Sequence, residues 1–493
     1  MKRTNDLGRD PVFPLVCRLA IPTMLAQLVS VLYSIVDRIY IGNLPVIGDL
    51  ALAGVGVCGP IVTLLSSFAT LVGLGGAPIL AMRMGEGNPK QAGRVLSNCF
   101  LMLLALSGAL TALFLLSKEQ LLLWFGASAD TFGYADTYLT IYTAGTFFAL
   151  MAAGMNSFLI AQGFSGLGMA TVVLGAVLNI VLDPLFMFGL DLGVAGAALA
   201  TVLSQMASCG FVLTALLRPK MPVPLRWGGF SRSIMLRVLA FGLSPFLIIA
   251  TDSILLIVLN TVLQHYGGAE LGDTLITCAT IVQSYLLLIT MPMGGLTLGT
   301  QPVISFNYGA ARADRIRQAM KSIVGLCLAF CVGMTLVTHT LSPYFVRLFT
   351  QSPELIERSV RYIKMFTAMI IPLAVQYPLV DETTALGQVR LALFCSLFRK
   401  SVFLAGLLLQ FVNPKIYIYC IMSMEAYILP YYHTEPLPLV GFALLLAFIG
   451  YLFCLCWCAF GSVFRRLFSQ HAKPVNTVMA LLLVYCAVSL FLA

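Results

Sequence analysis

The chain contains charge-free runs too long for a soluble fold. No Asp, Glu, Lys or Arg lies between Asp136 and Asp183, or between Asp273 and Arg312. About 20 apolar residues carry an α-helix across a bilayer. The second run therefore holds at least one full span, and the first fits two joined by a short link. Composition agrees: 10% of the 493 residues are charged and 59% hydrophobic, against about 25% charged in a soluble domain. A soluble enzyme, a disordered chain and a coiled coil are excluded. A β-barrel is excluded too, because its alternating strands read as only weakly hydrophobic. An all-α polytopic membrane protein is left.

Spans are expected near 15–41, 51–82, 95–116, 136–161, 167–189, 193–217, 236–263, 274–306, 319–341 and 361–386. Three more apolar runs follow near 401–429, 439–462 and 476–492, making about 12–13 helices. Basic residues cluster in alternate loops: Arg9 before the first span, Arg83, Lys90 and Arg94 after the second, Arg218 to Arg232 after the sixth, Arg312 to Lys321 after the eighth. The positive-inside rule puts these loops and the N-terminus in the cytoplasm. The polar start lacks a signal-peptide core, so the first helix is expected to insert uncleaved. The net charge of +9 marks loops, not nucleic-acid binding. The 13 cysteines lie mainly within apolar runs and read as packing residues, with no zinc or disulfide spacing.

A repeat with a fixed offset of 224 residues runs from roughly 90 to 390 and reaches back into the second span. Gly75, Pro78 and Gly85 map onto Gly299, Pro302 and Gly309; Phe125 onto Phe349; Tyr138 onto Tyr362; Ala161 and Gly163 onto Ala385 and Gly387. With a one-residue gap, Pro22 meets Pro245. Six helices per repeat is an even number, so both halves have the same orientation. Parallel repeats of this kind build transporters that hold substrate between two lobes near the bilayer midplane.

Charged groups inside spans are costly and mark function. Asp37 lies deep in the first span, beside Arg38. Asn179 and Asp183 are four apart, on one face of the fifth, and Pro184 frees a nearby carbonyl. Thr201 in the sixth adds a hydroxyl. This is a set of hard oxygens suited to a small cation, or to a proton carried on a carboxylate. Asp252 in the seventh span and Asp381 and Glu382 in the tenth are further acids; of the adjacent pair, at most one is expected to line a cavity. Met291 and Met293 flank Pro292 and offer flexible thioethers for apolar cargo. Substrate-cleft candidates are therefore Asp252, Asp381, Met291 and Met293. His265 and His339 sit near span ends and read as packing. "MGEGNP" at 84–89 reads as a tight turn. No nucleotide-binding motif or soluble nucleotide domain is present, so ATP-driven pumping is not expected.

These residues resemble the multidrug and toxic compound extrusion (MATE) family over about residues 10–400. The resemblance is carried by Pro22, "IVDRIYIG", "LAGVGVCGPI", "GLGGAPILAMRMGEGNPKQA", "AQGFSGLGMATVVLGAVLNIVLDPLF" and "GVAGAALATVLSQ". In the second half it is carried by "PMGGLTLGTQPVISFNYGAAR" and "TTALGQVRLALFCSLFRK". It implies two six-helix lobes around a cleft and export of amphipathic organic cations by antiport with Na⁺ or H⁺. Asp37, Asn179, Asp183 and Thr201 match the family's N-lobe coupling residues; Asp252 and Asp381 match its C-lobe acids only weakly. The tail departs: "LAGLLLQFVNPKIYIYCIMSM" and the final apolar run resemble the second half of a LysE-type amino acid exporter.

The expected organisation is an N-lobe at 1–217, a cytoplasmic loop at 218–235, a C-lobe at 236–400 and LysE-like helices at 401–493. The expected function is secondary efflux across a bacterial inner membrane, with no enzyme activity and no cofactor beyond the coupling ion. Acids in the cavity would select cationic cargo. Alternatives are a LysE-like amino acid or small-metabolite exporter, a flippase for lipid-linked precursors, and an inactive fused chain. The partners are a small organic cation and the lipid bilayer; the oligomeric state is open, with a monomer favoured.

Overall fold

The computed structural model describes the backbone of residues 5–394, apart from positions 46, 126, 128, 351, 369, 389 and 393. It describes their side chains except at 49, 250 and 252–277. The expected tail segment 401–493 and the side chain of Asp252 lie outside the described residues.

The described chain is helical: α1 Val12–Gly42, α2 Gly48–Gly85, α3 Pro89–Trp124, α4 Phe132–Ala144, α5 Thr146–Ala161, α6 Ser165–Pro184, α7 Gly193–Leu216, α8 Arg232–Gly309, α9 Ala313–Val346, α10 Pro353–Thr367 and α11 Ile370–Ala385. Among the described residues, eight stretches are long and apolar enough to cross a membrane, or ten if each of two bent helix pairs counts as one span.

Local chemistry explains the irregularities. Pro22 inside α1 removes the N–H that would pair with the Arg18 carbonyl. The Ser165 hydroxyl at the start of α6 donates to that carbonyl at 3.2 Å. The expected span 136–161 is a bent pair, α4 and α5, meeting at 56°. The bend sits at Gly145, where a Cβ would press on Val202 of α7. The expected span 361–386 is likewise α10 and α11, meeting at 47°. The two bends fall at equivalent places in the 224-residue repeat.

α8 is helical over 78 residues, about 117 Å if straight. Yet Gly242 packs against the Leu71 backbone of α2, and Gly309 against Met82 of the same helix. Leu71 and Met82 are only about 16 Å apart along α2. α8 therefore doubles back, and its apolar ends, Arg232–Ile249 and Cys278–Gly309, are two spans against α2.

The repeat is visible in contacts. A Cβ on Gly85 would run into the Phe306 carbonyl, and one on Gly309 into the Met82 carbonyl. Met82 and Gly85 precede Phe306 and Gly309 by 224 residues, so each half offers the other the same surface, as in a two-fold interface. The first helices are exchanged in the same way. Leu15, Val16 and Leu19 of α1 join the apolar core of α8, α9 and α11. Val238 and Phe241 of α8 join the core of α2 to α7. Turns match as well: Gly163 and Gly387 have φ of +86° and +79°, and Gly87 and Ala311 have +72° and +55°.

Ala311 holds a left-handed conformation that costs an L-residue about 1–2 kcal/mol. Ala311→Gly should raise stability by roughly 0.5–1 kcal/mol, net of glycine's extra entropy, read by thermal unfolding in detergent. Gly309→Ala should lower it by about 1–3 kcal/mol through overpacking. Gly108→Ala, where a Cβ meets open space, should show no such loss.

Candidate functional site

α6 places Asn179 and Asp183 one turn apart on the face that packs against α1 and α7. Both are buried, at 3% and 0% exposure. The Asn179 amide donates to Asp183 Oδ1 at 3.1 Å and to Thr201 Oγ1 at 3.4 Å. Thr201 donates in turn to the Ala197 carbonyl at 3.0 Å. Both amide hydrogens are thus committed, and the Asn179 oxygen is left facing the cluster. Asp37 completes the group: its carboxyl lies close to that of Asp183, and a hydrogen bond between them would form only while one of the two carries a proton. Arg38 is exposed but stays within electrostatic range of Asp37.

Asp37 Oδ1, Asn179 Oδ1 and Asp183 Oδ2 are buried with no hydrogen-bond partner among the described residues. Unpaired buried oxygens are costly. A proton or a small cation would satisfy them, so the donor set fits either ion. All four sequence-identified residues are therefore brought together. Beyond Pro184 the chain widens into a single π-turn, Leu185–Gly189, so the proline loosens the helix just past the acid.

Sequence reasoning missed the tyrosines. Tyr33, one turn before Asp37, and Tyr138 of α4 lie in electrostatic range of Asp37. Tyr138 stacks on Tyr142, with ring centroids 6.2 Å apart. Ser66 of α2 and Gln205 of α7 lie near the Tyr142 hydroxyl. The signal was the four-residue spacing of Tyr33–Asp37, Tyr138–Tyr142 and Thr201–Gln205.

The second half holds a different arrangement. Thr297 donates to Asp381 Oδ2 at 2.6 Å and Thr300 to Glu382 Oε1 at 3.1 Å. Adjacent acids on α11 thus both reach α8, three residues apart on one face. Glu382 is fully buried. Met293, expected at the cleft, is instead sealed in the core, its sulfur 3.5 Å from Cys331 Sγ. The short reach from α8 to α9 leaves it no access to a cavity. Met291 is 37% exposed.

A cavity of about 280 Å³ lies among α1, α2, α5, α6 and α8. Leu74 with Pro78 and their repeat partners Leu298 with Pro302 line it, so it sits on the pseudo-symmetry axis beyond the glycine crossing. Each proline removes the N–H that would pair with the leucine carbonyl four residues earlier. Gln27, Ser30, Thr70, Asn156, Ser157 and Gln301 supply polar groups, and among the described residues none that lines it is charged. Of the acids expected at the cleft, Asp252 lies outside the described side chains. Met291, Met293 and Asp381 do not line it; Gln301, which does, donates to the Asp381 carbonyl at 3.2 Å. Asp37 and Asp183 lie behind it, within the first lobe.

Thr300→Val should lower stability by about 1–3 kcal/mol, because it strips a buried carboxyl of its donor. Thr300→Ser should restore most of it, in thermal unfolding of the purified chain.

The MatE family profile matches residues 22–185 and 247–411, which are the two halves of the repeat. A relative, the multidrug export protein MepA of Staphylococcus aureus (strain NCTC 8325 / PS 47), is 23% identical over 405 residues, 82% of this chain and 88% of that protein. MepA of Staphylococcus haemolyticus (strain JCSC1435) is 24% identical over 385 residues, 77% and 82%. A solved structure titled as the outward-facing conformation of a multidrug resistance MATE family transporter superposes with a TM-score of 0.76 at 24% identity, covering 82% of this chain and 90% of that one. A MOP superfamily transporter from Pyrococcus furiosus gives 0.75 at 24% identity, with the same coverage. The chain is a multi-pass member of the MatE family, which are membrane transporters and not enzymes.

Proposed function

We propose that this chain is a secondary efflux transporter that exports amphipathic organic compounds, organic cations foremost, by antiport with Na⁺ or H⁺. The observation that carries this reading is the cluster of Asp37, Asn179 and Asp183 with one unpartnered buried oxygen each, beside a cavity whose described lining carries no charge. The names of the MepA relatives support multidrug cargo. Asp37, Asn179, Asp183 and Thr201 form the coupling site. The lobes are residues 1–217 and 236–400, joined by a cytoplasmic loop at 218–235, and the setting is the bacterial inner membrane.

Coupling follows from linkage. Two ligands that favour opposite conformations expel one another. Cargo binds in the cavity between the lobes, through hydrogen bonds and apolar contact. Ion entry satisfies the orphaned oxygens and locks α1 to α6 through Asp37 and Asp183. The geometry of α1 then changes where it borders the cavity, at Thr23, Gln27 and Ser30. One charge crossing 100 mV supplies about 2.3 kcal/mol, roughly a fiftyfold concentration ratio.

The end of the bundle sealed by Gly85 and Gly309 carries Arg83, Lys90, Arg94 and Arg312. By the positive-inside rule it is the cytoplasmic end, which makes this an outward-facing state. The test is efflux of a fluorescent organic cation from proteoliposomes under a Na⁺ or an H⁺ gradient imposed separately. Asp37→Asn and Asp183→Asn should each reduce gradient-driven efflux at least about tenfold, the loss of one charge-assisted contact, with expression unchanged. Full efflux in both variants would remove the coupling site.

A further inference from the structure

The segment before α1 makes contacts that neither the transport cycle nor the internal repeat requires. Residues Asn5 to Asp10 form one turn, closed by Arg9 and Asp10 N–H groups donating to the Asp6 carbonyl. The Asp6 carboxylate accepts from the Gly8 and Arg9 N–H groups at 2.9 and 3.0 Å. On one side Asn5 Nδ2 donates to the Gly163 carbonyl at 2.9 Å, in the α5–α6 turn of the first lobe. On the other side the turn's own carbonyls face the α8–α9 corner of the second lobe. Leu7 accepts from Asn307 Nδ2 at 3.0 Å and from Arg315 Nη2 at 3.2 Å. Gly8 accepts from Arg312 Nη1 at 2.6 Å, and Asp10 from Arg315 Nη2 at 2.8 Å. Asn307 Oδ1 accepts from Arg315 Nε at 3.0 Å. The Leu7 side chain is 3% exposed and sits in the second lobe's core.

We propose that Asn5–Asp10 is a strap that clasps the two lobes at the cytoplasmic end, and that it must release before the cleft can open to the cytoplasm. Three features support this. The strap touches both lobes at the end where the glycine crossing seals them. Its second-lobe hydrogen bonds run from the Arg312, Arg315 and Asn307 side chains to the strap's backbone carbonyls, and the Leu7 side chain adds an apolar anchor. Its anchors gather at one corner: Arg315 holds the start of α1 through Leu7 and Asp10 while orienting Asn307. Rotation of the lobes about their shared axis separates Gly163 from Arg312, and one short turn cannot span both when they part. The strap therefore adds stability to the outward-facing state alone. It sets the balance of states without touching cargo or ion.

This inference rests on the two-lobe rocking motion but not on the identity of cargo or coupling ion. Its test therefore needs no gradient and no substrate. In the full chain with its native cysteines replaced, a single cysteine is placed either at Met82, buried in the seam against Gly387, or at Ser30 in the cavity wall. Membranes are treated with an impermeant maleimide from one side at a time. Arg312→Ala with Arg315→Ala should speed labelling of Met82→Cys from the cytoplasmic side about tenfold. It should slow labelling of Ser30→Cys from the outer side. Unchanged rates at both positions, in protein that reaches the membrane, would overturn the strap. A joint rise at both would also overturn it, showing a structural contact whose loss loosens the fold. If the double arginine variant does not reach the membrane, Asn5→Ala severs only the first-lobe anchor. It should give the same opposed changes at smaller size, and no change would overturn the proposal. Efflux that fails while the opposed labelling changes hold would count against the proposed cargo or coupling site and leave the strap standing.

Discussion

The close approach of α2 and α8 at Met82, Gly85, Phe306 and Gly309 is the constraint on which the rest depends. Within a bilayer, burial of apolar side chains against lipid-like surfaces gives little driving force between helices, and packing of small residues takes its place. A Cβ at either glycine would strike the other helix's backbone, so the two lobes meet backbone to backbone. That contact is reciprocal because the sequence is duplicated, and reciprocity puts it on the pseudo-symmetry axis. The cavity lies next to the crossing for the same reason. Leu74, Pro78, Leu298 and Pro302 are the next residues back along the same two helices.

Exchange of the first helices follows from this crossing. The early part of α1 packs in the core of the second lobe, while its later part presents Asp37 to the first. α1 therefore belongs to both lobes, and Pro22 lies between the two regions. The carbonyl that Pro22 leaves without its helical partner is satisfied by Ser165. A helix divided in this way can report the state of Asp37 to the seam. Residues joined across a bistable packing provide a physical route for coupling, where mere proximity would not.

Much of this was legible in sequence. The offset of 224 residues paired Gly85 with Gly309 and Gly163 with Gly387 before any contact was known, whereas the bends inside the spans expected at 136–161 and 361–386 were not read from it. Asn179 and Asp183 could be paired by helical spacing, and buried acids in an apolar run point to function by cost alone. What spacing could not show was direction. Adjacent Asp381 and Glu382 were expected to face apart, yet a threonine pair on α8 receives both carboxyls. Met293 was a surface candidate because methionines suit apolar cargo, but the same flexibility suits a core, and Cys331 closes over it. The helical run across α8 hides the reversal that its packing on α2 requires. The tyrosines were hidden because aromatic residues are abundant in any membrane chain, and only the fold gathers Tyr33 and Tyr138 near one acid.

In the proposed transport cycle, a cavity whose described lining carries no charge changes how cargo selection is to be understood. A carboxylate in the binding wall would attract cations strongly in a low-dielectric site and would compete with the coupling ion for the same charge. Placing Asp37 and Asp183 behind the wall separates the two tasks. Cargo meets amides, hydroxyls and aliphatic surface, which tolerate variation in shape and charge distribution. The ion meets oxygens that have no other partner and so binds by chemistry the cargo cannot copy. In the proposed cycle the two ligands compete through the position of α1 and not by occupying the same atoms, which would let one transporter of this design export chemically unlike molecules with a single ion.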